Sequence, residues 1–108
     1  MTRSAPVLLL RQALSLFKDQ GEAWSAIMCL ERIAATTVHD DARCGARLLG
    51  AASAWRREIG LPRSKVDDER HACAAAALRG ALGEADFAAA WGEGERLTPD
   101  QAVAEALA

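Results

Sequence analysis

The chain has no tyrosine, two phenylalanines and three tryptophans in 108 residues. Its core therefore has to be built from aliphatic and small side chains rather than from aromatic packing. The one β-branched run is Thr36-Thr37-Val38, so no segment has the makings of a strand. Cysteine is scarce: Cys29, Cys44 and Cys73 are odd in number and form no Cys-x-x-Cys, which argues against a disulfide framework or a zinc site and fits reduced thiols. The apolar run Val7-Leu8-Leu9-Leu10 stops at Arg11, too short for a signal peptide or a membrane span. Thirteen basic residues against fifteen acidic ones give a net charge of −2, without the basic stripe of a dedicated nucleic-acid binder. The expected setting is the cytoplasm, with neither membrane nor direct nucleic-acid contact.

What is present is alanine, the best helix former, whose small side chain lets helices approach closely. Residues 9–21 recur 39 positions later as residues 48–60, with Leu9/Leu48, Leu10/Leu49, Ala13/Ala52 and Gly21/Gly60 identical and Leu16/Trp55, Lys18/Arg57 and Asp19/Glu58 alike in chemistry. Each copy has apolar residues at helical spacing and a glycine just past its end. A self-similar period of this size points to stacked helical hairpins.

The pattern predicts six helices. The first runs from about Pro6 to Gln20, with Leu10, Ala13, Leu14 and Phe17 as its apolar stripe. The second spans Glu22 to Val38, with Ala23, Ile27, Leu30 and Ala34 on one face and Trp24, Met28 and Ala35 beside it. The third is capped by Asp40 or Asp41 and carries Cys44, Leu48, Ala52, Trp55 and Ile59. Gly60-Leu61-Pro62 ends it. Ser64 caps the fourth, whose stripe is Val66, Cys73, Ala77, Leu78 and Leu82. The fifth, from Glu84 to about Glu93, presents Phe87, Ala90 and Trp91, with Gly92 and Gly94 loosening its end. Thr98-Pro99-Asp100-Gln101 opens the last, which offers Ala102, Val103, Ala106 and Leu107.

Catalytic signatures are missing. There is no phosphate-binding loop, and Gly92-Glu93-Gly94 follows no strand and lacks a dinucleotide fingerprint. His39, His71 and the cysteines could form a nucleophile pair or metal site in a small enzyme or ligand-binding bundle, which is the competing class. Core thiols and surface histidines explain them more simply. Asp40-Asp41 and Asp67-Asp68-Glu69 lie at helix starts, where the helix dipole favours carboxylates. Arg43, Arg47, Arg56, Arg57, Arg63, Lys65 and Arg70 read as a solvated face interleaved with acids. Trp24, Trp55 and Trp91 read as spacers between helices.

Three segments, Arg47-Leu-Leu-Gly-Ala-Ala-Ser-Ala-Trp-Arg-Arg-Glu-Ile-Gly-Leu-Pro62, Ala81-Leu-Gly-Glu-Ala-Asp-Phe-Ala-Ala-Ala-Trp-Gly-Glu-Gly94 and Leu97-Thr-Pro-Asp-Gln-Ala-Val103, resemble the extreme C-terminus of a large bacterial family. Those proteins are multidomain signal-transduction ATPases and LuxR-type or winged-helix transcriptional regulators that end in tetratricopeptide-like helical repeats. The likeness also takes in the Leu-Phe-Lys-Asp-Gln-Gly21 helix end. It implies a regulatory or scaffold surface. No catalytic or DNA-contacting motif of the family has a matching position here, so only architecture carries over. The 39-residue period and the missing tyrosine depart from the tetratricopeptide pattern of about 34 residues.

The expectation is an all-α, non-enzymatic, single helical-repeat domain, with repeat helices over 6–60 and capping helices over 64–108, binding protein and no cofactor or metal. The first helix corresponds to the second helix of a hairpin whose partner is missing. Its Leu8, Leu10, Leu14 and Phe17 face is therefore expected to be incompletely covered, and to mediate self-association through residues 5–20.

Overall fold

The computed structural model describes residues 4–108. It has six helices: α1 (Ser4–Asp19), α2 (Ala23–Thr36), α3 (Ala42–Ile59), α4 (Lys65–Leu82), α5 (Glu84–Glu95) and α6 (Pro99–Leu107). Among the described residues there is no strand. Local chemistry fixes the boundaries. Asp41 rather than Asp40 caps α3, accepting from the Cys44 N–H at 3.1 Å, and Ser64 accepts from the Asp67 N–H at 3.1 Å. Thr98 and Gln101 close a reciprocal capping box at 3.1 and 2.9 Å, which satisfies two otherwise orphaned N–H groups. Gly60, at φ +68°, takes the left-handed position after α3, and the Leu61 N–H returns to the Arg56 carbonyl at 2.8 Å, a helix end that glycine allows at no steric cost.

Consecutive helices α1, α2 and α3 pack side by side, yet the most extensive contact in the chain joins α3 to α5. The cause is two glycines, Gly94 and Gly50, while a third, Gly45, faces α2 and α4. A Cβ at Gly94 would run into the backbone of Arg47, one at Gly50 into the backbone of Trp91, and one at Gly45 into the Thr37 hydroxyl and Leu78. Gly94 therefore does not loosen the end of α5. It brings α5 into backbone contact with the middle of α3, and pairing 47 with 94 and 50 with 91 makes the two helices antiparallel. α6 then folds back over α1, α2 and α3.

The core is one cluster with members from all six helices, its largest fully buried side chains being Leu14, Ile27, Leu30, Ile33, Leu48, Leu49 and Leu78. A radius of gyration of 12.7 Å matches the about 13 Å of a globule this long. Several stripe positions lie elsewhere than the periodicity suggests. On α4 the buried residues are Ala74, Ala75 and Leu78, while Val66, Cys73 and Ala77 are exposed. That helix packs against α3 and α5 and touches α2 only slightly, so its α2 side stays open. Trp24 is 59% exposed and is no spacer, because nothing lies against the outer side of α2. Trp55 is buried and Trp91 half-buried.

Candidate functional site

The open side of α4 is one wall of a groove. α2 supplies the other wall and Leu49 of α3 the floor, enclosing about 550 Å³. Its direction follows from two contacts of α3: Arg56 bonds Glu31 on α2 and pairs with Asp67 on α4, while Gly45, three turns away, abuts Thr37 and Leu78. α2 and α4 therefore run parallel, Glu31 lying toward the Asp67 end of α4 and Thr37 toward the Leu78 end. The far end, between Ala35, Val38, Ala74 and Ala77, is apolar. The near end is ringed by Glu31, Arg32, Asp67, Glu69, Arg70 and His71.

A buried arginine anchors that charged end. Arg56 is 4% exposed. Its Nε and Nη2 donate to the two Glu31 carboxylate oxygens at 2.7 and 2.9 Å, Nη1 donates to the Pro62 carbonyl at 3.3 Å, and Nη2 lies 3.2 Å from the Met28 sulfur. Asp67 approaches at 3.6 Å. One side chain thus ties α2, α3, the following loop and α4 together. The two hydrogen bonds that Arg56 donates to Glu31, ahead of the Glu31 charge, hold the guanidinium above its ordinary range against the cost of burial. The parallel fork of arginine to carboxylate is the strong form of this interaction. Arg63 reaches Glu31 only at 3.8 Å.

Two more arginines of the basic stretch are paired between helices. Arg47 joins Glu93 on α5 at 3.5 Å and Glu105 on α6 at 2.8 Å, and Arg57 meets Glu95 at 3.2 Å. These arginines connect helices and are not simply a solvated face. Periodicity could not reveal this, because Arg56 lies 25 residues from Glu31 in sequence.

The histidines and cysteines scatter. His71 and Cys73, two residues apart on α4, both line the groove. Cys73 is exposed at its rim, whereas the His71 ring meets Trp91 edge-on at 5.5 Å between centroids. Burial, reinforced by Arg63, lowers the His71 pKa. His39 is exposed and lines neither cavity. Cys29 is buried, and desolvation raises its pKa. Cys44 lines a second cavity of about 490 Å³ with Glu105, where burial first and the Glu105 charge next push its thiol up to about 11, the reverse of an activated nucleophile. Among the described residues no three His, Cys, Asp or Glu side chains converge in a metal-binding group.

The expected α1 face is mostly occupied from within. Leu14 is 0% exposed and Leu10 and Phe17 are half-buried against the core, because α2 and α6 cover this side of α1. Of the four residues only Leu8 is exposed. Among the described side chains α1 leaves the apolar Leu8, Leu9 and Leu16 open, the last two 65% and 54% exposed. No helix among the described residues is long and apolar enough to cross a membrane.

In sequence the chain is similar to proteins named "Putative HTH-type transcriptional regulator" from Mycobacterium bovis and from two strains of Mycobacterium tuberculosis. Each is 45% identical to it over 62 residues, which is 57% of this chain. The chain spans about 7% of the length of these curated relatives. No family model matches the chain, and no solved structure matches it.

Proposed function

We propose that this chain is a non-enzymatic helical module that binds protein and regulates a transcription factor, equivalent to a C-terminal piece of a bacterial multidomain ATPase or LuxR-type regulator. The observation that carries this reading is the 45% identity over 62 residues to proteins named as helix-turn-helix regulators. With 7% of their length matched, the parts that bind DNA or nucleotide belong, in this reading, to the remainder, and this segment supplies a contact surface. The 39-residue sequence period supports a tetratricopeptide-like origin, since α2 and α4 lie parallel at nearly that separation.

The partner is protein, or a second copy meeting through Leu8, Leu9 and Leu16. Repeat equivalence supports the second surface: Leu9 and Leu16 correspond to Leu48 and Trp55, which are buried. Deleting the matching stretch from the Mycobacterium tuberculosis relative tests the proposal. The expected result is folded protein whose operator binding or ATP turnover is altered, with activity restored when this segment is supplied in trans. Unchanged regulation after deletion would refute it.

A further inference from the structure

We infer that the groove between α2 and α4 binds an amphiphilic carboxylate, its acid group held between Arg32 and Arg70 and its hydrocarbon tail lying toward Val38 and Ala77. The cavity, at about 550 Å³, falls within the range of small-molecule sites, about 300–1,000 Å³, which are mostly apolar with a few convergent polar groups. Its chemistry is divided along its length. Ala35, Val38, Leu49, Ala74 and Ala77 give an apolar end with no charge, and every charged lining residue lies at the other end.

At that charged end most acids are already engaged. Glu31 and Asp67 are drawn to Arg56, which lies behind the lining. Arg32 on one wall and Arg70 on the other are exposed, form no ion pair among the described residues, and stand at nearly the same level of the parallel helices. Among the described residues Glu69 is the lining acid that has no ion pair. With Glu31 and Asp67 engaged by Arg56 and Arg63, Arg32 and Arg70 are the lining cations left to hold one anionic head from opposite walls, with Glu69 and the neighbouring Asp68 as the acids beside them. From the level of Arg32 to that of Val38 the groove runs about 9 Å at the helical rise, the scale of a medium-length alkyl chain. The small alanine side chains on both walls leave that width open.

The inference goes beyond the protein-interaction proposal and can fail without it, because deletion in the relative tests that proposal separately. The probe is decanoate below its micelle concentration, with decanol and decyltrimethylammonium as neutral and cationic controls. Binding is read by calorimetry and by protection of Cys73, which lines the groove, from alkylation. Decanoate is expected to bind once per chain, to slow alkylation of Cys73, and to bind roughly tenfold tighter than either control.

Arg32→Glu with Arg70→Glu should reverse the preference toward the cationic probe. Ala77→Trp, at an exposed position that does not threaten the core, should weaken all three by roughly tenfold. Equal affinity for the three head groups, no saturable binding, or binding indifferent to Ala77→Trp in a protein with unchanged circular dichroism would each overturn the assignment.

Discussion

Replacing Gly94 by alanine adds one methyl group where α5 crosses α3. In an exposed helix the same change stabilises by about 1 kcal/mol, because alanine restricts the unfolded chain and glycine does not. At Gly94 the new carbon would overlap the Arg47 carbonyl oxygen and lie 2.7 Å from its carbon and 2.9 Å from its Cα. Carbon atoms pack at about 3.5–4.0 Å, so the helices must separate by about 1 Å. Backbone cannot swing aside as a side-chain tip can, and α3–α5 is the most extensive contact of the fold. Overpacking of this kind costs about 1–3 kcal/mol or more, and the upper part of that range applies here. After the propensity gain, a net loss of about 2 kcal/mol remains, which lowers Tm by about 10 °C in a domain of this size. Gly80 is the control: it is helical and a Cβ there meets nothing within 4 Å. Gly80→Ala should raise Tm by about 5 °C. Thermal melts by circular dichroism compare the two. A Gly94→Ala protein melting at or above the parent would refute the close crossing of α3 and α5.

Arg56→Met removes the cation from two largely buried carboxylates, Glu31 and Asp67, each 15% exposed in its side chain. It should cost about 3–5 kcal/mol in urea denaturation, with part of the loss recovered on adding Glu31→Met. His71 has a pKa below its unfolded value, chiefly through desolvation and then Arg63. Its contribution is therefore complete above about pH 6.5 and is lost as pH falls through the folded value. Urea midpoints should decline as pH falls below about 6.5, less so in His71→Gln. If α1 mediates self-association, Leu9→Glu and Leu16→Glu should reduce the mass seen by light scattering at high concentration without lowering Tm. A parent that is strictly monomeric there would end that proposal.

The legible part of this fold is the local part. Asp41, Ser64 and Thr98 cap helices because each hydroxyl or carboxylate reaches an N–H three residues ahead, and such chemistry is complete within one turn of sequence. The illegible part needs a partner from afar. Gly50 and Gly94 are weak helix residues in isolation, and they become the tightest crossing of the structure only when placed opposite Trp91 and Arg47. Asp67 sits in a capping-box position, but its carboxylate points to Arg56. The groove was hidden for the same reason: Val66, Cys73 and Ala77 fit a core stripe by spacing, and α4 simply has too little opposite them to bury them.

The repeat itself explains both what its two copies share and where they part. Leu10 and Leu49, Ala13 and Ala52 turn inward or partly inward in both copies, so the shared residues are those that make a helix with one packed face. The differing pairs set the neighbours. Where the first copy has Arg11 the second has Gly50, which admits α5 at backbone distance. Where the first has Phe17, half-buried against the core, the second has Arg56. A buried cation needs carboxylates from outside its own helix, so Arg56 draws in Glu31 and Asp67 and holds α2 and α4 on either side of α3. Two substitutions within one repeated pattern thus make α3 the centre of the molecule and α1 its edge. These tethers set the α2–α4 spacing at the charged end, while at the apolar end Gly45 lets Thr37 and Leu78 close onto α3 and the small side chains Ala35, Ala74 and Ala77 leave the groove open above it.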